Sequence, residues 1–268
     1  MLLIKPDPDR RIHLPGVPAP VRRPLDIDQS MTGFASLRTL RIYRFDQASV
    51  IEGHAEDDEV FIVVLAGSIE LTMIPNSSAN SSADSSANSS ADSSADPTPV
   101  VMGAPGNADD AACAAYLPPH AAYKLVSKTD ADVAYARATP VAGRPPKVFH
   151  SSRRTGLAGA GISLEETSYA ERLRIRLFFF NAPAVEVDFS PINEAEAAFE
   201  ALIHVGTPLP AARVASVSKA PAVPIWLDSG DAVAVSPGER PTLHAAAGTA
   251  GLALIVMAVG SRRRRSRP

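Results

Sequence analysis

Val60-Phe61-Ile62-Val63-Val64-Leu65-Ala66-Gly67-Ser68-Ile69-Glu70-Leu71-Thr72-Met73 is the stretch on which the fold turns. Its first six residues are apolar without a break and largely β-branched, which suits a strand covered on both faces. After Gly67, apolar residues stand only at odd positions, the alternation of a strand with one covered face. Gly67 marks the turn between them. Working outward, strand-like runs stand at Leu37 to Phe45, Ala115 to Leu117, Tyr123 to Val126 and Val133 to Arg137. Farther on, Leu173, Ile175, Leu177 and Phe179 alternate with Arg172, Arg174 and Arg176, and Val185, Val187 and Phe189 alternate with Glu186 and Asp188. Strands return at Ala232 to Val235 and Leu252 to Val259. One helix is predicted, capped by Ser190-Pro191, running from Ile192 to His204 and stopped by Gly206. Many short strands with one short helix in the carboxy-terminal half make an all-β sandwich or barrel.

Composition agrees. The 268 residues are 46% apolar but only 6% aromatic, so the core is built from Val, Leu, Ile and Ala. Twenty-four prolines, against an average of roughly 5% of residues, disfavour long helices. Lys and Arg (26) nearly balance Asp and Glu (29), so no global field marks a nucleic-acid or membrane binder. The single cysteine, Cys113, excludes an internal disulfide framework and a multi-cysteine zinc site. No apolar run reaches the roughly 18–20 residues of a membrane helix, and a cytoplasmic location is expected.

The predicted layout has five parts. Residues 1–33 are a Pro-rich arm over the surface. Residues 34–141 form one barrel, interrupted at 76–96 by repeats of the type Asn-Ser-Ser-Ala and Asp-Ser-Ser-Ala that hold no large apolar residue and read as a disordered insert. Residues 142–150 are a linker, 151–260 a second barrel and 261–268 a basic disordered tail. Both halves run strands into a Pro/Gly turn and a closing strand, at Leu117-Pro118-Pro119 and Val235-Ser236-Pro237-Gly238, so the chain reads as a duplication.

Gly53-His54-Ala55-Glu56-Asp57-Asp58-Glu59-Val60, continued to Leu71, resembles the first cupin motif, and Tyr116-Leu117-Pro118-Pro119-His120-Ala121-Ala122-Tyr123 resembles the second. With Asp130 to Ala138, they look like the first half of the two-cupin isomerases acting on 5-deoxyglucuronate and related uronates. Gly230 to Gly238 looks like a second copy of the second motif. The resemblance implies two tandem RmlC-like, jelly-roll barrels (a bicupin), aldose–ketose isomerisation and a divalent metal such as Zn, Mn, Fe or Ni. It also implies a sugar acid or other small carboxylate as ligand and leaves a homodimer open.

Matched residue by residue, His54 takes the position of the first histidine ligand and Glu56 that of the second. The glutamate position falls on Val60, one residue past Glu59, and the last ligand position on Tyr123. The degenerate metal set is therefore His54, Glu56 and Tyr123. Glu59, if a β-bulge turns it inward, and His120, after the two prolines, are expected at the ligand pocket. The residues leave three readings open: an isomerase, a metal-free cupin that binds a small molecule without catalysis, or a redox cupin using His54, Glu56 and Tyr123. A solvated outer face is the expected setting of Arg172, Arg174 and Arg176.

Overall fold

The computed structural model describes residues 1–74, 98–104, 112–140, 144–154, 161–164, 169–170, 172–180, 185–188, 199–206, 212–216, 225–237, 239, 241–245 and 251–259. The repeat at 76–96, the helix cap at Ser190-Pro191 and the basic tail lie outside the described residues.

The first half contains β1 (Leu2–Ile4), β2 (Arg11–Ile12), β3 (Val21–Asp28), α1 (Gln29–Thr32), β4 (Leu37–Phe45), β5 (Val50–His54), β6 (Glu59–Ala66), β7 (Ser68–Ile74), β8 (Val100–Gly103), β9 (Ala112–Leu117), β10 (Ala122–Ser127) and β11 (Ala131–Ala138). The second contains β12 (Lys147–Arg154), β13 (Gly161–Leu164), β14 (Leu173–Phe180), β15 (Val185–Asp188), β16 (Phe199–Val205), β17 (Ala212–Ser216), β18 (Ile225–Leu227), β19 (Ala232–Val235), β20 (Pro241–Ala245) and β21 (Gly251–Val259).

Sheet order shows the duplication directly. In the first half one sheet contains the run β9-β6-β11-β4 and the facing sheet runs β5-β10-β7-β8. In the second the corresponding orders are β19-β16-β21-β14 and β15-β20-β17-β18. Eight strands of each half occupy equivalent places. The quoted hairpin is β6–β7, with Gly67 at φ 71° in its turn. Any side chain there would strike the Asp130 carbonyl, so glycine is required on both counts.

The halves also exchange strands. β1 pairs antiparallel with β19, at the edge of the second half's sheet, while β12 pairs with β9 at the equivalent edge of the first. Each exchange covers an edge that would otherwise be open to foreign strands. Two expectations are corrected here. Residues 1–33 are more than a surface arm, because β3 pairs with β4 and buries Leu25 and Ile27. The arm's Pro24 is tolerated because it falls where the β3–β4 register shifts. Residues 147–150, read as linker, belong to β12.

The predicted helix is corrected as well. Its second part, Phe199–Val205, is strand β16, buried along its whole length. Phe199, Ala201, Ile203 and Val205 enter the core of the second barrel, and Leu202 enters the core between the barrels. A strand buried on both faces carries apolar residues at odd and even positions, so Phe199 and Leu202, three apart, imitate a helical stripe. The only α-helix among the described residues is the single-turn α1, capped by Asp28 and closed by Gly33.

Three clusters make up the core. One fills the first barrel, one the second, and the third lies between them, joining Phe61, Val63 and Ala136 to Leu177, Leu202 and Leu254. Two buried carboxylates stitch this middle layer. Glu59, at the start of β6, accepts the backbone N–H groups of Arg172 and Leu173 at the start of β14, at 3.2 and 2.6 Å. Glu200, at the start of β16, accepts those of Ala35, Ser36 and Leu37 at the start of β4, at 2.5, 2.8 and 2.8 Å. The two contacts are counterparts under the internal repeat.

Candidate ligand cavity in the first barrel

Strand parity decides what reaches the inside of the first barrel. On β4, Tyr43 and Phe45 point inward while Leu40 and Ile42 point to the middle layer; on β11, Val133 and Tyr135 point inward while Ala134 and Ala136 do not. The cavity there, open at one side to solvent, is about 580 Å³, within the usual range for small-molecule sites. Its wall includes Arg41, Tyr43, His54, Glu56, Tyr123, Tyr135 and Arg137.

The tyrosines form a connected set. Tyr135 meets Tyr43 edge-on at 6.4 Å between ring centres and Tyr123 at 6.3 Å, and the Tyr123 and Tyr135 hydroxyls are hydrogen-bonded. Tyr123 stands opposite Gly53 across β10 and β5. A Cβ on Gly53 would come within 2.5 Å of the Tyr123 hydroxyl, so the bare backbone there gives the ring its place. Burial holds the Tyr123 hydroxyl well above the ordinary phenol value and pushes Tyr135 up to about 12. Both remain phenols, able to donate, across the neutral range.

The guanidinium groups are anchored from behind. Arg137 Nε donates to Asp58 Oδ2 at 2.8 Å, and its Nη2 donates to Glu56 Oε2 at 2.5 Å. Arg38 Nε stands 2.9 Å from the other Asp58 oxygen. Burial raises the Asp58 carboxyl above its ordinary value even with Arg137 and Arg38 pulling it down. Arg41 Nε donates to Asp26 Oδ1 at 2.9 Å.

His54, Glu56 and Tyr123 all line this cavity, so the structure brings the three residues of the expected metal set to one wall. They do not suit a metal ion. Glu56 is committed to Arg137, Tyr123 is a phenol bonded to Tyr135, and the His54 side chain is exposed. Among the described residues no group of three or more His, Cys, Asp or Glu side chains could hold a metal.

Two expected pocket residues lie elsewhere. Glu59 is fully buried on the opposite face of β6, where it accepts the β14 N–H groups. No bulge turns it inward, because the register shift between β6 and β11 falls at Asp132/Val133, the other end of the pair. His120 is exposed at the tip of a turn, with φ 65° and Nδ1 3.6 Å from Asp57 Oδ1. The prolines before it direct the chain around the rim, so its imidazole faces outside. Arg174 and Arg176 depart from the solvated face expected of them. They are half-buried, cross-strand partners of Met257 and Ile255, which lie in the second barrel's core. Burial lowers the Arg176 pKa.

Sequence reasoning assigned no role to Arg41, Tyr43, Tyr135 or Arg137. The signal was present: each pair stands at alternate positions of one strand, Arg41/Tyr43 on β4 and Tyr135/Arg137 on β11, on the face that also carries Phe45 and Val133.

These features define a two-barrel cupin, and solved structures of the same architecture confirm the fold. An IolB-like protein from Salmonella typhimurium LT2 is 16% identical with a TM-score of 0.66, covering 98% of this chain and 94% of that one. Protein YlbA from E. coli is 11% identical with a TM-score of 0.62, covering 97% and 90%. An oxalate decarboxylase from Lactobacillus farciminis, solved as a formate complex, is 9% identical with a TM-score of 0.64, covering 97% and 86%. No protein-family model and no curated protein matches the sequence. At these identities the likeness is one of fold.

Proposed function

We propose that this chain binds a small sugar acid, or another small carboxylate, inside its first barrel without a metal ion. The observation that carries the reading is the cavity wall, where Tyr43, Tyr123 and Tyr135 stand with Arg41 and Arg137. Guanidinium and phenol groups donate hydrogen bonds that match carboxylate and hydroxyl oxygens. The tyrosine faces supply apolar surface for the C–H groups of a sugar. A small carboxylate is also what the L. farciminis neighbour was solved with.

Aldose–ketose isomerisation is a second reading, favoured by the placement of His54 and Glu56 on the same wall. An imidazole and a carboxylate there are suited to move a proton between adjacent carbons. Calorimetric titration with galacturonate, with the product assayed for ketose, tests both. Saturable binding should weaken at least tenfold in Arg137→Gln, about 1.4 kcal/mol, and several-fold in Tyr123→Phe, which keeps the ring. Undiminished binding in both variants, or none to the wild type by any small acid, overturns the proposal. Ketose formation would favour the isomerase.

A further inference from the structure

Arg137 is bound by two carboxylates of unequal standing. Asp58 is 1% exposed, lies behind the cavity wall and is ion-paired with Arg38 as well as with Arg137. Glu56 is 67% exposed and lies on the wall, and among the described residues its carboxylate has one partner, Nη2 of Arg137. An ion pair with so exposed a member is weak, because water competes for both charges.

The backbone of Glu56 is fixed from two sides. Residues 55–58 form a tight turn in which the Asp58 N–H donates to the Ala55 carbonyl at 3.2 Å. Within it Glu56 has φ 53°, in the left-handed region that residues with a side chain seldom adopt. The His120 N–H donates to the Glu56 carbonyl at 2.5 Å, tying the turn to the loop between β9 and β10. With the backbone pinned, rotation of the side chain alone takes the carboxylate from Arg137 into solvent.

Charge arithmetic gives that rotation a consequence. Arg38 and Arg137 bring two positive charges to the cluster, Asp58 and Glu56 two negative ones. With Glu56 turned away the cluster carries one positive charge, the complement of a single carboxylate.

We infer that Glu56 is an internal counter-ion for Arg137, and that the carboxylate of a bound acid displaces it and takes its place on Nη2. This rests on the function proposed above and assigns the place of the ligand's carboxylate within it. Glu56 competes with every acid that enters, so the apparent affinity is reduced by the fraction of time for which Arg137 is uncovered. A neutral sugar has no charge with which to displace Glu56, so the pair favours acids.

Galacturonate titrated calorimetrically into the wild type, Glu56→Gln and Asp57→Asn provides the test. Glu56→Gln keeps the size of the side chain and removes its charge. Asp57→Asn removes the same charge one residue along, from a carboxylate that faces His120 and is not part of the cavity wall. The expected result is binding about fivefold tighter in Glu56→Gln and within about twofold of the wild type in Asp57→Asn. Saturable binding that is unchanged or weaker in Glu56→Gln overturns the inference, leaves the carboxylate to Arg41 and spares the proposed function. Equal tightening in both variants also overturns it, as the mark of a general field. Failure of the wild type and both variants to bind any small acid overturns the proposed function and this inference together.

Discussion

Glu200 accepts three backbone N–H groups and Glu59 two, all across the layer between the barrels. Alanine at either position leaves those donors buried and unpaired, and hydrogen bonds to a charged group contribute about 1.5–3 kcal/mol each. Chemical denaturation should show losses of about 2–4 kcal/mol, the larger for Glu200→Ala; losses below 1 kcal/mol would refute the stitching role. His204 makes stability depend on pH. Burial lowers its pKa from 6.5 to about 4, so between those values the unfolded chain binds a proton that the folded chain does not. Stability should therefore fall as the pH drops through that window, by roughly 3 kcal/mol in all. A hydrogen bond to the Asp231 backbone, with the Asp132 and Asp231 carboxylates behind it, opposes the fall without cancelling it. Replacing His204 with Leu should flatten the stability–pH slope there, and an unchanged slope would show that His204 does not contribute. At this scale the sequence was half legible. Counting from His54 and from Gly67 put the inward position at Val60, as observed, but the bulge expected to turn Glu59 into the pocket is absent. What Glu59 holds on the outward side depends on β14, more than a hundred residues away, and no local pattern announces it.

β1 is three residues long, yet it closes the exposed edge of β19 through the register Leu2↔Ala234, Leu3↔Val233 and Ile4↔Ala232. Removing residues 1–5 should open that edge. Hydrogen exchange should then quicken at Ala232 to Ala234 while protection on β9, covered by β12, stays as it was. Equal loss in both halves, or none, would contradict the exchange of strands. Single elements with alternating or unbroken apolar runs were readable from sequence, β4 and β19 to the residue. β1, β12 and β16 were not, each for a physical reason. β1 and β12 are strands because of the edge each one meets in the other half. β16 is buried on both faces, and Phe199 and Leu202 on opposite faces imitate the spacing of a helical stripe.

Across the whole molecule, one architecture is used twice. The first barrel keeps a cavity, and Arg41, Arg137 and the tyrosines Tyr43, Tyr123 and Tyr135 form much of its polar wall. No helix among the described residues is long and apolar enough to cross a membrane. The central claim is that guanidinium and phenol groups hold a small acid where the resemblance to the cupin motifs implies a metal ion. Calorimetric titration of galacturonate into protein treated with EDTA, repeated after adding Mn²⁺ or Zn²⁺, tests that claim most directly. Saturable binding of equal strength, within about twofold, is the predicted result in both. Binding seen only after metal is added would contradict it.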